Sequence, residues 1–441
     1  MSTTAVLPEG WAETTFGTVI SNVSISEKKL PKGQYSESGR FPVVDQGRQF
    51  IGGYTDDEEK VVSDDLPVLV FGDHTRVFKF LNQPFVPGAD GIKVLKPLGV
   101  NPKWLYQIAH ALDFPDKGYA RHFQHLKAAK LLIPPLPEQQ RIVAEIEKQF
   151  TRLEAGVVAL RRVQANLKRY RAAVLKAACE GKLVPTEAAL AKTEKRKAKF
   201  ETGEELLTRI LTERRHNWQG RGKYKEPTAL DAANLPSLPG GWVWASADQL
   251  TSLVTSGSRG WAEFYSDTGP LFIRAQDIKT DSLKLKGVAR VTLPAKAEGM
   301  RSSVENGDLL ITITGANVTK SAIVHGLSEL AFVSQHVALL KPVCREAASF
   351  HFLWIVSPAH GRKFLEKWAY GAGKPGLSLE QVRNLPIALP PLAEQTRIVA
   401  EVERRLSVVE ELEAAVSANL QRATRLRQSI LQRAFTGELT K

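Results

Sequence analysis

Two long stretches of the chain carry apolar residues at alternating steps of four and three. The first stretch uses positions 146, 150, 153, 157, 160, 164, 167, 171, 174 and 178, and eight of those ten residues are apolar. The same positions shifted by 256 residues, from Val402 to Ala434, are apolar at eight of ten as well. This spacing is the seam of a coiled coil, so the sequence predicts two matching long helices. Leu412 and Leu426 stand beside the two polar positions of the second seam and are candidates to replace them.

The beginning of each predicted helix is a sequence repeat. Residues 134–149 and 390–405 are identical at 11 of 16 positions. Pro-Pro-Leu leads into each helix, where proline is tolerated, and Gly181 and Gly437 stand where a left-handed C-cap would end it. Residues 138–180 would form a helix of about 65 Å, at about 1.5 Å per residue. Gly156 inside it is expected to cost about 1 kcal/mol relative to alanine.

Two similar helices of this length are expected to pair antiparallel. That arrangement would place the globular stretches at opposite ends, related by an approximate two-fold axis. A parallel pair would require the connecting segment to run the length of the helices, which its length permits. The matching seams and the cancellation of the helix macrodipoles favour the antiparallel pair. Such a rigid spacer would hold two different surfaces a fixed distance apart.

A strand-rich stretch precedes each predicted helix. Leu7-Pro8-Glu9-Gly10-Trp11 is similar to Leu238-Pro239-Gly240-Gly241-Trp242, but the interiors of the two stretches read differently. Short β-branched runs bounded by Gly, Pro, Asp and Asn, such as 68–80 and 308–324, are typical of strands. The fold class is therefore α+β. The expected segments are a first strand-rich domain at 1–133, a first long helix at 134–183, a basic helical linker at 184–236, a second strand-rich domain at 237–389 and a second long helix at 390–441.

The linker carries a run of charge. Residues 192–225 contain eleven Lys or Arg and five Glu, and an amphipathic helix is expected around Leu206, Leu207, Ile210 and Leu211. Such a run is usually a solvated connector. A contact with a DNA backbone or with another subunit is the alternative.

Composition narrows the class of protein. The 441 residues have 60 Lys and Arg against 47 Asp and Glu, a formal net charge of +13. This excess fits nucleic-acid binding and also fits simple solubility. Two cysteines, Cys179 and Cys344, lack the spacing of a disulfide framework or zinc site. No signal peptide or membrane-length apolar run is visible, so we expect a cytoplasmic protein without a membrane partner.

The repeated segment carries a family resemblance. Three features resemble the DNA-specificity subunit of Type I restriction-modification systems. They are Pro-Pro-Leu-x-Glu-Gln-x-Arg-Ile-Val-Ala-Glu-x-Glu at 134–147 and 390–403, the helix ends at 165–184 and 427–440, and the two Leu-Pro-x-Gly-Trp starts. The resemblance implies two target-recognition domains on double-stranded DNA and two antiparallel helices. It also implies assembly with two methyltransferase (modification) subunits and with restriction (motor-nuclease) subunits. Those partners would use S-adenosylmethionine, ATP and Mg, whereas this chain would bind no cofactor and catalyse nothing.

The residues themselves agree with a non-catalytic role. No Gly-x-x-x-x-Gly-Lys-Ser/Thr loop is present for ATP, and both Pro-Pro pairs are followed by Leu rather than by an aromatic residue. Because the two strand-rich interiors differ, we expect an asymmetric, bipartite DNA site. The alternatives are a stand-alone nuclease and a coiled-coil scaffold that binds protein only. The target bases, the spacer length and the presence of a restriction subunit do not follow from the sequence.

Candidate DNA contacts are side chains that can read base edges, since Arg or Lys pairs with guanine and Asn or Gln with adenine. In the first domain the candidates at expected turns are Gln46, Arg48, His74, Arg76, Tyr119, Arg121 and His122. Asp73-His74 could instead be a turn whose aspartate bonds its own backbone. His122 and His125 have a spacing that metals can use, but no further ligands accompany them, so no metal site is expected.

The second domain offers comparable chemistry. Its candidates are Arg259, Arg274, Gln276, Lys279, Asn317, Thr319, Lys320, Gln335 and Lys374. Gln335 could instead be the polar edge of the strand that follows it.

Polar residues at the start of each long helix are candidates for docking a methyltransferase subunit. They are Glu138, Gln139 and Arg141 in the first helix and Glu394, Gln395 and Arg397 in the second. The alternative is local capping and ion pairing, worth tenths of a kcal/mol.

Overall fold

The computed structural model describes residues 8–89, 91–112, 118, 121–193, 200–219, 222–294, 300–370 and 375–440. The elements up to the first long helix are β1 (Ala12–Thr15), β2 (Ile20–Val23), β3 (Phe41–Val44), β4 (Gly53–Thr55), β5 (Val68–Gly72), β6 (Phe78–Leu81), β7 (Val86–Pro87), β8 (Ile92–Pro97), α1 (Pro102–Ala109), α2 (Phe123–Ala128), β9 (Lys130–Ile133) and α3 (Leu136–Cys179).

The remaining elements are α4 (Glu187–Thr193), α5 (Gly203–His216), β10 (Val243–Ser246), α6 (Ala247–Leu250), β11 (Thr251–Ser256), β12 (Tyr265–Ile273), β13 (Ile278–Lys279), β14 (Ser282–Leu283), β15 (Ala289–Val291), β16 (Ser303–Val304), β17 (Leu309–Thr312), β18 (Ser321–Ile323), β19 (Ala331–Val333), β20 (Val337–Pro342), α7 (Ala348–Val356), α8 (Gly361–Tyr370), α9 (Leu379–Arg383), β21 (Pro386–Leu389) and α10 (Leu392–Phe435). The α+β prediction is confirmed. None of these helices is both long enough and apolar enough to cross a membrane.

The chain forms two compact units. The first unit is Met1–Val163 with Ala415–Lys441, and the second unit is Gln164–Ala414. Each unit therefore contains one strand-rich domain, part of α3 and part of α10.

The strand-rich domain of the first unit has three small sheets. One is fully antiparallel with the order β2-β8-β5-β6. A second has the order β4-β3-β7, in which β3 and β7 run parallel. The first and last strands, β1 and β9, pair antiparallel just before α3 begins. Phe16, Phe71 and Trp104 are fully buried in a core shared by the four-stranded sheet, β9 and the start of α3.

The strand-rich domain of the second unit repeats this plan. Its antiparallel sheet has the order β11-β20-β17-β18, and its mixed sheet has the order β15-β12-β19-β16 with β12 and β19 parallel. The first and last strands, β10 and β21, again pair antiparallel just before a long helix. The second domain adds β16 to the mixed sheet and has a separate antiparallel pair, β13 with β14. The two domains, whose interiors differ in sequence, therefore share the order of the antiparallel sheet and the parallel pair of the mixed sheet.

The two long helices match the predicted ones in length and in pairing. Each has 44 residues. In the first unit, the start of α3 and the end of α10 share one core through Ile146 and Ile430, and the guanidinium of Arg427 lies 4.4 Å from the ring centre of Phe150. In the second unit, the end of α3 and the start of α10 share another core. There Arg171 lies 3.5 Å from the carboxylate of Glu413. Within each unit the helices are antiparallel.

The heptad seam is confirmed in most of its length. The seam positions at both ends of each helix are buried, and Val409 and Val416 are buried in the middle of α10. The expectation for Leu412 and Leu426 is wrong, because their side chains are 47% and 48% exposed. The seam keeps Glu413 instead, since its carboxylate approaches Arg171.

Both predicted C-cap glycines are left-handed. Gly181 has φ 64° and Gly437 has φ 73°. A Cβ on Gly437 would lie 3.0 Å from Pro8 and 3.2 Å from Trp11, and one on Gly181 would lie 2.9 Å from Pro239 and 3.2 Å from Trp242. The Leu-Pro-x-Gly-Trp start of each strand-rich domain therefore packs on the end of a long helix in the same unit.

The linker is not a solvated connector in its helical part. Helix α5 begins with a capping box from Thr202 and Glu205, and it buries Leu206 and Ile210 completely in the core of the second unit. Arg214 donates 2.8 Å hydrogen bonds from Nε to the carbonyl of Thr251 and from Nη1 to the hydroxyl of Tyr224. The predicted amphipathic helix is confirmed, and its apolar face belongs to the globular core.

Gly156 provides a test of the long helix. A Cβ at this exposed position would meet nothing within 4 Å. Gly156→Ala is therefore expected to stabilise the protein by about 1 kcal/mol, measured by denaturant unfolding, because alanine restricts the unfolded chain. Gly99→Ala is the control, since Gly99 has equally open surroundings but a φ of +67°. That variant should lose about 1 kcal/mol, and a gain at both positions would contradict the argument.

Candidate nucleic-acid interface

The predicted base-reading residues fall mainly on three connections that occupy equivalent places in the two domains. In the first domain they are the connections from β3 to β4, from β5 to β6 and from β7 to β8. In the second domain they follow β12, join β17 to β18 and join β19 to β20. We call these connections loop 1, loop 2 and loop 3 of each domain.

The three loops of the first domain meet through hydrogen bonds. The side-chain oxygen of Gln46 in loop 1 accepts a 3.4 Å bond from the amide of His74 in loop 2. The hydroxyl of Thr75 donates to the carbonyl of Gln46 at 2.6 Å. The amide of Asp73 in loop 2 donates to the carbonyl of Gly91 in loop 3 at 2.6 Å. Gln46 and His74 are both predicted DNA contacts, and the structure brings them into contact with each other.

A buried lysine anchors the backbone of loop 1. Lys79 on β6 is 3% exposed, and its Nζ donates to the carbonyls of Asp45 and Gln49 at 2.7 and 2.6 Å. Burial lowers the pKa of Lys79, and the nearby Asp45 carboxylate opposes that shift. Both carbonyls flank Arg48, which is exposed. Loop 1 therefore presents Arg48 from an anchored backbone.

Asp73 and His122 support loop 2 from inside. The Asp73 carboxylate accepts 2.8 Å bonds from the amides of His122 and Phe123, at the start of α2. The carboxylate of Asp73 therefore bonds to residues about 50 positions away, and not within its own turn as the alternative interpretation had it. His122 is completely buried, with Nδ1 3.0 Å from the Asp73 carbonyl. His122 thus positions the turn in this structure, whereas Arg121 beside it is exposed.

The structure describes Arg76, a further candidate in this domain, but not Tyr119. Arg76 closes the β5–β6 turn with a left-handed φ of 59°, and its amide donates to the carbonyl of Gly72 at 2.8 Å. Its side chain is partly exposed. Tyr119 lies outside the described residues.

The three loops of the second domain surround a cavity of about 490 Å³. Four predicted residues line it: Arg274 and Gln276 from loop 1, Asn317 from loop 2 and Gln335 from loop 3. The Asn317 amide donates to the carbonyl of Ala275 at 3.2 Å and accepts from Lys320 at 2.7 Å, which ties loop 2 to loop 1.

Arg274 is held at the cavity wall by an ion pair. Its Nε and Nη2 lie 3.1 and 3.3 Å from the two carboxylate oxygens of Asp277. The hydrogen bonds that Arg274 donates to this carboxylate raise the pKa of Arg274. The guanidinium carbon also lies 6.0 Å from the ring centre of Tyr265. Arg274 is therefore a fixed cation beside an aromatic face.

The other candidates of the second domain do not line the cavity. Thr319 is 4% exposed with a φ of 73°, so it shapes loop 2 from inside. Lys279 is exposed and donates to the carbonyl of Gln276 at 2.7 Å. Arg259 is exposed on the connection from β11 to β12. Lys374 lies outside the described residues.

Sequence reasoning missed the aromatic wall of this cavity. Trp261, Tyr265 and Phe272 line it, with Trp261 and Phe272 ring centres 5.6 Å apart and those of Tyr265 and Phe272 5.8 Å apart. Trp261 lies two residues after the predicted contact Arg259. Phe272 looks like an ordinary core residue of a strand in the sequence, and only the fold shows that its ring also faces a cavity.

Most of the residues proposed for docking make contacts inside the chain. Glu394 is completely buried and accepts 2.9 Å bonds from the indole of Trp242 and from the amide of Glu187. Burial raises the pKa of Glu394, and these bonds partly offset the shift. Glu138 accepts a 3.2 Å bond from the indole of Trp11 but is only partly buried.

The glutamines and arginines of the same segments follow a similar pattern. Gln139 and Gln395 are each 1% exposed, and their amides donate to the carbonyls of Pro134 and Pro390 at 2.9 Å. Arg397 pairs with Glu187. Arg141 is exposed. Of the six docking candidates, Arg141 thus has the most surface to offer a partner, and docking stays a prediction.

Comparisons with known proteins point to one family. The model of the Type I restriction modification DNA specificity domain matches residues 295–422. The Type I restriction enzyme StySPI specificity subunit of Salmonella potsdam is 24% identical, over 98% of this chain and 90% of that protein. The EcoBI specificity subunit of Escherichia coli is 25% identical over 71% of this chain, and the match spans 59% of that protein.

A solved structure shares the fold. A chain from a study of complex assembly and conformational transition in the type I R-M system aligns over 98% of this chain and 99% of its own length. The TM-score is 0.61 at 18% sequence identity. The likeness thus extends across both strand-rich domains and both long helices.

Proposed function

We propose that this chain is a member of the Type I restriction-modification DNA specificity family and is the DNA-recognition subunit of a complex of that type. In this proposal each strand-rich domain reads one half of a bipartite, asymmetric site, and the chain itself catalyses no reaction. The main support is that the two domains share one sheet plan but carry different side chains on loops 1, 2 and 3. A common scaffold with different loops is what reading two different sequences requires.

The chemistry of the loops supports DNA as the ligand. Loop 1 of the first domain exposes Arg48 from an anchored backbone, and the second domain places Arg274, Asn317 and Gln335 around one cavity. These side-chain types match the donor and acceptor patterns of guanine and adenine. The formal net charge of +13 adds a sequence-independent attraction to phosphates, which weakens as salt rises.

The partners and cofactors belong to the same proposal. Two methyltransferase (modification) subunits would bind the chain and use S-adenosylmethionine, and restriction subunits would use ATP and Mg. We assign no cofactor to this chain. Arg141, exposed near the start of α3, is the residue we retain for methyltransferase docking. Its replacement by alanine should weaken assembly without weakening folding.

A domain exchange tests the function. Residues 12–133 are replaced by the corresponding domain of another specificity subunit, so that β1 and β9 move as a pair and the Trp11–Glu138 contact stays. The hybrid is expressed with the neighbouring methyltransferase, and the methylated sequences of the host are mapped. We expect one half of the methylated sequence to change completely and the other half to stay, because each domain reads only its own half.

The reciprocal exchange of the second domain is the matched control and should change the other half. A hybrid that leaves the whole methylated sequence unchanged would contradict recognition by these domains. A protein-only scaffold predicts no salt-dependent DNA affinity in the assembled complex. A stand-alone nuclease predicts DNA cleavage by this chain without its partners.

A further inference from the structure

Loops 1, 2 and 3 come together in both domains, but the space between them differs. In the first domain the Gln46 side chain fills the space, since a Cβ on Gly91 would lie 2.7 Å from its amide nitrogen and 2.8 Å from its amide oxygen. In the second domain the corresponding loops leave the cavity of about 490 Å³. The space between the three loops is therefore filled in the first domain and open in the second.

The open cavity combines an aromatic wall with polar atoms that lack partners. Trp261 and Phe272 are 5% and 4% exposed, whereas Tyr265 at the rim is 46% exposed. Ser334, which is 5% exposed, has a buried hydroxyl without a hydrogen-bond partner among the described residues. The side-chain oxygen of Gln335 is also buried without a partner among them. Buried polar atoms are nearly always paired in folded proteins, so these two suit a ligand that supplies the missing bonds.

A hydrogen-bond chain orients the Gln335 amide. Its nitrogen lies 3.1 Å from Nε2 of His336, whose Nδ1 is bonded to the hydroxyl of Thr314. The amide nitrogen therefore donates one hydrogen to His336 and keeps a second one. The amide retains an acceptor and a donor side by side, which is the pattern that Gln uses to bind an adenine edge. Gln335 lines the cavity, so this pair is available to a ligand there.

We propose that this cavity receives one nucleobase of the second half-site, turned out of the DNA stack. The inference rests on the proposed function and goes beyond it, because that function needs only groove readout. In the occupied site the base stacks on the Tyr265 and Trp261 side of the cavity, and the Gln335 amide and Ser334 hydroxyl bind its polar edge. Arg274, fixed by Asp277 at the cavity wall, lies beside the same aromatic face.

The concave shape is the reason to prefer an extruded base to groove contacts at this point. Base edges in an intact duplex lie at the floor of a major groove about 8.5 Å deep, so a protein reads them with protruding side chains. Gln335 and Ser334 instead line the wall of the cavity, and Ser334 is only 5% exposed. A base that leaves the stack presents both its ring face and its polar edge to such a pocket.

Mismatch scanning tests the inference. The full chain, in complex with its methyltransferase subunits, is titrated with duplexes of the mapped target in which one pair of the second half-site is broken at a time. Breaking a pair makes extrusion of its base easier. We expect one mismatch that preserves the pocket base to tighten binding roughly tenfold, measured by fluorescence anisotropy at constant salt. In Gln335→Leu and in Tyr265→Ala that gain should fall to about twofold or less.

The control variant is Thr280→Ala, an exposed residue of the same domain, which should keep the full gain. The base that the methyltransferase extrudes will also tighten binding when mismatched, but this gain will not depend on Gln335 or Tyr265. If every gain survives both substitutions, or if no position tightens, the inference is overturned. The proposed function would survive that result as long as the intact target is still bound in preference to unrelated DNA.

Discussion

Replacing Gly257 by alanine is expected to destroy recognition by the second domain. A Cβ at this position would lie 1.8 Å from the carbonyl oxygen of Val333 and 2.6 Å from the carbonyl carbon of Ser334. The Gly257 amide also donates to the carbonyl of Ser334 at 3.2 Å, so the two backbones are held together. Because both contacts are with backbone, the end of β11 must move away from loop 3. We expect a loss of about 3 kcal/mol or more in stability.

The measurement combines calorimetric unfolding of the full chain with methylation of the mapped target. Gly257→Ala should lower the unfolding temperature and abolish methylation, because loop 3 carries Ser334 and Gln335. Gly240→Ala is the matched control in the same unit, since its Cβ would meet only Ala188 at 3.6 Å. That variant should stay within about 0.5 kcal/mol of the parent. Similar unfolding of the two variants would show that the loop contact is not as rigid as the structure indicates.

The long helices could be predicted from the sequence because their signals are local and repeated. The step of three and four residues, the Pro-Pro-Leu starts and the C-cap glycines each specify helix geometry within a few residues. The expectation failed at Leu412 and Leu426, whose side chains are 47% and 48% exposed. Near Leu412 the seam position Glu413 lies close to Arg171 of the other long helix. No local pattern reports such a pair.

The common plan of the two strand-rich domains could not be read from the sequence. Strand order depends on contacts between distant residues, such as β2 with β8 and β11 with β20. Different apolar residues can satisfy the same buried positions. The segment containing α5 misled us for the opposite reason, since its charged side chains outnumber the few apolar ones that pack it into a core.

The candidate site was predicted in part. Side-chain chemistry alone selected Arg274, Asn317 and Gln335, and the fold brings them to one cavity. Chemistry alone also selected His122 and Thr319, which are buried and shape their turns. Whether a polar side chain faces the solvent or its own loop depends on backbone geometry that only the structure supplies.

The repeat also supplies a comparison between Glu138 and Glu394. Both begin a long helix, and both accept a hydrogen bond from the tryptophan of a Leu-Pro-x-Gly-Trp start. Their favourable interaction with the helix macrodipole is therefore similar and cancels in the comparison. They differ in burial, and Glu394 has an additional donor in the amide of Glu187.

Glu394→Ala is expected to cost about 3 kcal/mol of stability, and Glu138→Ala about 1 kcal/mol. Removal of the Glu394 carboxylate, which is completely buried, leaves two donors unpaired, the Trp242 indole and the Glu187 amide. Removal of the partly exposed Glu138 carboxylate leaves one donor, the Trp11 indole. Calorimetric unfolding of the two full-length variants measures the difference, with Glu138→Ala as the matched control. Equal losses would mean that burial does not control the strength of this contact, and a larger loss at Glu138 would mean that the two helix starts have been ranked in the wrong order.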